Sequence, residues 1–345
     1  MKGSVSISGR TRLTALLLTS TLIATSAAFA AVRNEHPFQV SPTLDGKTVL
    51  SGSTSALHGH LLFTRTRGND VQTIFLATSS GERRVTASGA YCCLLRISPD
   101  HQRILVMPGG DIRPPVTGGT INLAGGDFKR LELVDPTLNL VPQAWSPDGT
   151  RIVFEGWDDS NASRTGIYTA NAANGADLVR VTSRPGVHHD IPLDYSPDGK
   201  RLVFYRSVGV DPNPYVGGSL WVVGVDGSGL HKIAGAAAPP APWARWSRNG
   251  SRILFANERT TPSGAIWTVR QDGTRLTKVF ADRRGRFPIT PVWSPDGTQI
   301  LFALDPGNDL FVHPPNGLYV IRANGSNLQL VIGGDNFKRD PEWWR

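Results

Sequence analysis

Three short clusters hold the side chains with the widest chemical range. His188-His189-Asp190 places two imidazoles beside a carboxylate. Histidine ionises near neutral pH and serves as acid, base or metal ligand. Arg283, Arg284 and Arg286 form one basic cluster, and Lys338-Arg339 a second. Such cations attract an acidic protein surface, an anionic glycan or a phosphate. Cys92-Cys93 holds both cysteines of the chain, directly after Tyr91.

Neighbours on an extended chain point to opposite sides, so His188-His189-Asp190 alone cannot aim three ligands at one ion. A metal site would need help from His58, His60 or His313. No metal and no cofactor are expected, and no catalytic residue is assigned. Cys92 and Cys93 leave two readings open. A vicinal disulfide would close a small strained ring and staple nothing distant. Left as thiols, the two would pack as small residues on opposite faces of a strand.

The elements that must position these clusters are set by an internal repeat, best sought first. Trp145-Ser-Pro-Asp-Gly149, Tyr195-Ser-Pro-Asp-Gly199, Trp246-Ser-Arg-Asn-Gly250 and Trp293-Ser-Pro-Asp-Gly297 each precede an apolar run. Those runs end at Phe154, Phe204, Phe255 and Phe302. A weaker copy starts at Ile97, with His101 in the place of Gly. Within each box Pro presets φ, Asp bonds its own turn and Gly supplies positive φ. The apolar run lacks polar alternation, so the strand it forms is expected to be covered on both faces. A second hairpin follows each box, marked by Asn174-Gly175, Asp226-Gly227, Asp272-Gly273 and Asn324-Gly325.

Two hairpins make one four-stranded antiparallel sheet, and radial repetition of such sheets makes a β-propeller. A linear array is the competitor, and the two ends of the repeat region argue against it. Residues 59–88 hold only the second, third and fourth strands of a unit. Asp340-Pro-Glu-Trp343 copies the approach to Trp293. The expected fold is therefore all-β: a six-bladed β-propeller of four-stranded antiparallel blades. The C-terminal strand would pair with the N-terminal blade and close the ring.

Aromatic-Ser-Pro-Asp-Gly boxes followed by a basic residue and Ile-x-Phe resemble the TolB-like, or PD40 (WD40-like), propeller repeat. The resemblance covers roughly residues 59–345. TolB itself carries an α/β domain before its propeller, whereas about 28 residues stand there in this chain. The resemblance is thus to a TolB-like propeller lacking that domain, and it implies a binding rather than a catalytic role. Related propellers accompany prolyl-oligopeptidase-type peptidases, but the Gly-x-Ser-x-Gly signature of the hydrolase part is absent.

Composition agrees with a large folded core: 345 residues, 39% hydrophobic and only 19% charged. Two cysteines exclude a disulfide-built scaffold. Lys2, Arg10 and Arg12 precede an apolar stretch over residues 13–27, and Ala28-Phe29-Ala30 follows. That is the three-part pattern of a cleaved secretory leader, and the stretch is short for a membrane span. Three divisions are expected: a signal peptide over 1–30, a lead-in over 31–58 and the propeller over 59–345. Removing the leader takes away three of 36 cations, so 33 minus 28 leaves +5.

The mature chain is expected to be a soluble monomer, periplasmic or secreted, with no membrane span and no nucleic-acid partner. Long connections at 108–120, 156–165, 207–218, 258–264 and 305–317 should share one face with the links between blades. That loop face, carrying the His-His-Asp and basic clusters, is expected to hold a protein or envelope component. The alternative is a propeller enzyme, a lyase or hydrolase acting on a saccharide or lactone at the channel mouth. A third reading is an accessory subunit for a separate peptidase or transporter.

Overall fold

The computed structural model describes residues 58–67, 71–109, 116–132, 134–183, 189–208, 217–235, 237–257, 264–306 and 316–345. Its strands form six sheets of four. Blade 1 contains β1 (His60–Arg67), β2 (Val71–Thr78) and β3 (Gly81–Arg84). Blade 2 is β4 (Tyr91–Ile97), β5 (Arg103–Pro108), β6 (Gly119–Asn122) and β7 (Lys129–Arg130). Blade 3 is β8 (Asn139–Trp145), β9 (Arg151–Trp157), β10 (Gly166–Asn171) and β11 (Val179–Arg180). Blade 4 is β12 (Asp190–Tyr195), β13 (Arg201–Arg206), β14 (Ser219–Gly224) and β15 (His231–Ala234). Blade 5 is β16 (Pro240–Trp246), β17 (Ile253–Asn257), β18 (Ala265–Val269) and β19 (Thr277–Ala281). Blade 6 is β20 (Phe287–Trp293), β21 (Gln299–Asp305), β22 (Gly317–Arg322) and β23 (Gln329–Ile332).

The last strand, β24 (Phe337–Trp344), pairs antiparallel with β1 and completes blade 1. Leu61 faces Trp343 across this pairing, and Thr66 faces Phe337. The ring therefore closes as the sequence predicts. One boundary differs: Lys338 and Arg339 lie inside the closing strand, not before it. Residues 337–339 pair with 64–66 ahead of the bulge.

The boxes and the apolar runs account for this architecture. In each of the five boxes the second residue's hydroxyl donates to the Asp or Asn at the fourth position, at 2.5–2.9 Å. The same side chain accepts from the backbone N–H two residues on, which locks the turn. The strand that follows is covered on both faces: Ile104, Leu105, Val106, Ile152 and Val153 are wholly buried. Six apolar clusters each join residues of two neighbouring blades, the blade 6 to blade 1 seam included. Each sheet thus buries its faces against its neighbours, which is the main stabilising term.

Every inner strand carries a register shift shortly before its last residues. The shifts fall at 62/64 on β1 against β24, 92/96, 142/144, 192/194, 240/244 and 289/292. A bulge bends a strand and re-aims the side chain that follows it. Thr290 and Asp340 stand at these bulges with φ of 50° and 51°. On the box-turn face the turns also touch around the ring. Gly149 lies against Pro99, Gly199 against Pro147 and Gly250 against Pro197. The space over Gly297 is open, because the preceding box has Arg248 where the others have Pro.

Candidate functional site

Links between blades and the loops within them meet on one face. Gly109 N donates to Ala90 O at 2.9 Å, Ser207 N to His189 O at 2.9 Å, and Asp282 N to Gly264 O at 3.1 Å. Much of this face, including His188 and His313, lies outside the described residues. Cys92 and Cys93 sit on β4, the inner strand of blade 2, and their side chains also lie outside the described ones.

His189 and Asp190 enter β12 and diverge, as extended backbone requires. His189 Nδ1 lies 2.8 Å from Glu155 Oε1 on β9 of blade 3, and both side chains are buried. The Trp157 ring meets the imidazole edge-on, with centroids 5.9 Å apart. Asp190 turns the other way and accepts two bonds from Arg206 on β13, each 2.8 Å. The Arg206 guanidinium in turn covers the Trp221 ring at 4.8 Å. These consecutive residues serve two separate pairings, His189 with Glu155 and Asp190 with Arg206, and do not converge on one point.

The basic clusters also separate. Asp282 organises the turn over residues 282–286. Its carboxylate accepts from the backbone N–H of Arg284 and of Arg286, both at 2.9 Å, and from Arg286 Nη2 at 2.9 Å. Burial works to raise the Asp282 pKa, but these bonds hold it below the ordinary carboxylate value. Arg283 and Arg284 project from this braced turn and are exposed. Lys338 is buried; its ammonium donates to the carbonyls of Asn316, Gly334 and Asn336 at 2.9, 3.2 and 2.6 Å. Burial, helped by nearby Arg65, lowers its pKa to about 8. Arg339 is buried too, with Nε 3.0 Å from Asp340 Oδ2.

A further constellation was not singled out from the sequence. The residue just before the lead residue of each box (Ile97, Trp145, Tyr195, Trp246 and Trp293), with Glu342 before Trp343 as the sixth, follows a bulge. These positions carry Arg96, Ala144, Asp194, Arg245, Val292 and Glu342. Their strands are the innermost of the six blades; Ala144 and Val292 pack in the seams between blades, and the four charged members meet at the central channel. Arg245 Nη2 of blade 5 lies 2.5 Å from Glu342 Oε1 of blade 1, past the intervening blade 6. Arg96 Nη1 of blade 2 reaches the same oxygen at 3.3 Å. Asp194 Oδ2 accepts from Trp246 N at 2.9 Å across the seam between blades 4 and 5. Burial raises the Asp194 pKa to about 6 despite nearby Arg245. Burial and the charge of Arg245 lower that of Arg96 to about 10. The signal was present in the chain: four of six equivalent repeat positions are charged.

Among the described residues no three His, Cys, Asp or Glu side chains gather as a metal cage. Nor is any described helix long and apolar enough to cross a membrane.

No protein-family model matches the chain. Among solved structures it is similar to TolB from Acinetobacter baumannii, at 16% identity and a TM-score of 0.63, covering 85% of this chain and 68% of that one. A putative TolB from Agrobacterium tumefaciens matches at 18% identity and a TM-score of 0.56, covering 84% and 99%. An oligogalacturonate lyase in complex with manganese matches at 13% identity and a TM-score of 0.55, covering 79% and 74%. Identity this low shows the fold alone, and the chain has the TolB-like six-bladed propeller fold.

Proposed function

We propose that the protein is an exported, non-catalytic binding module that holds an acidic protein or envelope component on its loop face. The observation that carries this reading is the turn over residues 282–286. One buried carboxylate, Asp282, fixes the backbone and neutralises Arg286, while Arg283 and Arg284 stay exposed. A braced turn presenting two guanidiniums loses little entropy on binding, and Arg suits carboxylate and phosphate groups. The leader pattern over residues 1–30, the positive balance of the remaining chain and the likeness to TolB structures support a periplasmic or secreted setting. Residues 31–58 then serve as a lead-in to the propeller, and the mature chain works as a monomer. The buried Lys338 and Arg339 contribute by holding the closing strand rather than by touching the partner.

A second reading rests on Asp194. A channel carboxyl that titrates near pH 6 is suited to proton transfer, and an oligogalacturonate lyase shares the fold. This reading is an enzyme acting on a saccharide or lactone.

One experiment separates the two. The mature chain is immobilised and exposed to envelope extract, in parallel with an Arg283→Glu/Arg284→Glu variant. The binding reading expects a partner that the wild type retains, that added salt releases, and that the variant loses. Equal retention by both proteins overturns it. Cleavage of a saccharide chain, or hydrolysis of a lactone to its hydroxy acid, lost in Asp194→Asn, would instead establish the enzyme.

A further inference from the structure

His231 stands on β15, the outer strand of blade 4, and is partly buried. Its Nδ1 lies 2.6 Å from Gly229 O in the preceding turn. Its Nε2 lies 2.7 Å from Gln271 O, in the turn between β18 and β19 of blade 5. Both oxygens are backbone carbonyls, and a carbonyl only accepts. A neutral imidazole has one N–H to give, and its other nitrogen carries a lone pair. At these distances a neutral ring satisfies one carbonyl and sets a lone pair against the other. The imidazolium, with an N–H on each nitrogen, satisfies both.

The repeat places this contact in a series. His231 precedes Lys232, which faces Trp221 on the third strand of blade 4. In blade 1 Arg83 precedes Arg84, which faces Phe75 on the third strand of that blade. Arg83 Nη2 donates to Leu123 O of blade 2 at 2.8 Å. Leu123 stands two residues before Gly125, as Gln271 stands two before Gly273. Both glycines have positive φ and turn against the preceding blade, Gly125 at Val85 and Gly273 at Ile233. One outer-strand position thus reaches one and the same carbonyl of the next blade in two seams. A guanidinium does so in the first and keeps its charge across the physiological range. An imidazole does so in the second, and its charge changes near neutral pH. The other four blades carry Lys129, Val179, Thr277 and Gln329 there, so His231 is the one histidine of this position.

The charged groups on the elements around the ring are Lys232 on β15, Asp226 in the preceding turn, and Arg270 and Asp272 in the blade 5 turn. Asp226 accepts from Ser228, and Asp272 from Thr274. At the box turn of blade 4, Lys200 and Asp198 stand beside Arg201, whose Nη1 donates to Gln271 Oε1 at 3.0 Å. Among the described residues none of these groups bonds the imidazole, whose two nitrogens are taken by the carbonyls.

We propose that His231 is a proton-operated clasp between blades 4 and 5. With both nitrogens protonated, the ring bridges Gly229 O and Gln271 O and ties the outer strand of blade 4 to the blade 5 turn. With one proton lost, it keeps one carbonyl, and the outer edge of this seam loosens. The clasp is therefore present at acidic pH and is lost as pH rises through the imidazole range. It lies on the outer rim, beside the box turns, and does not rest on the partner surface proposed above.

The test is amide hydrogen exchange of the folded mature chain over residues 270–274, where Arg270 N donates to Thr274 O and Gly273 N to Arg270 O. Wild type, His231→Arg and His231→Gln are compared with one another at about pH 5.5 and again at about pH 8. His231→Arg copies the blade 1 donor and stays charged, whereas His231→Gln carries no titratable group. The two variants should differ about tenfold in protection at both pH values. Wild type should match His231→Arg at the acidic pH and His231→Gln at the alkaline one. The 122–126 turn of blade 2, held by Arg83, should exchange alike in all three. A ratio of wild type to His231→Arg that is the same at both pH values overturns the proposal. So does equal protection in the two variants, or a change that the 122–126 turn shares.

Discussion

Asp194 sits where burial and its neighbours pull in opposite directions. Its folded pKa of about 6 lies above the ordinary carboxylate value, so between pH 4 and 6 the folded chain keeps a proton that the unfolded chain has released. Stability from this residue therefore falls as pH rises through that window and stays lower at neutral pH. The span corresponds to roughly 2–3 kcal/mol. Urea unfolding midpoints measured from pH 4 to 7 should show this decline, and Asp194→Asn should flatten it. A slope that survives the substitution would assign it elsewhere. Lys338 makes a second residue-scale case. Its ammonium satisfies three carbonyls around the entry to β24, so Lys338→Met should destabilise the protein by about 2 kcal/mol in urea titrations. Neither role is visible at the residue itself. A lysine beside an arginine reads as a basic patch until its surroundings are known, and Asp194 carries no signal of its own until the inner strands are brought together.

At the scale of elements, the box turn is the unit that repeats, and its chemistry was legible residue by residue. Pro, Asp and Gly at fixed offsets predict the hydrogen bonds that form, because a four-residue turn is decided by local sterics and by the nearest side-chain acceptor. Gly149 has a φ of 73° and lies against Pro99 of the preceding blade. Gly149→Ala should therefore cost about 1–2 kcal/mol, measured as a lowered urea midpoint with unchanged m. Bulges were not legible in the same way. A bulge depends on how two strands register, and the prolines at positions 142, 192, 291 and 341 mark it without defining it. The consequence is functional, since the bulge precedes the residue that lines the channel. The candidate turn over 282–286 shows the same division. Its three arginines could be counted, but the Asp282 brace that separates Arg286 from Arg283 and Arg284 exists only in the folded turn.

For the whole molecule, closure between β24 and β1 is the contact that makes six sheets one body. Trp343 and Trp344 are buried in the seams of blade 1 with blades 6 and 2, and the Trp343 indole donates to His58 O at 3.0 Å. Deleting residues 340–345 should lower the thermal midpoint by at least about 5 °C. An unchanged midpoint would mean that the ring does not need its last strand. Closure also explains why the channel constellation escaped the linear reading. Arg96 and Glu342 are 246 residues apart, and Arg245 and Glu342 are 97 apart. Taken alone, the chain determined the blade count, the strand order within a blade, the turns and the closing strand, because each follows from local patterns repeated about every fifty residues. Which polar side chains meet was decided only by the tertiary structure. Glu155 with His189, Arg206 with Asp190 and Arg245 with Glu342 are partners across strands or blades. A repeat specifies what each blade carries, but only the closed ring sets the distances between blades, and electrostatic interaction depends on those distances.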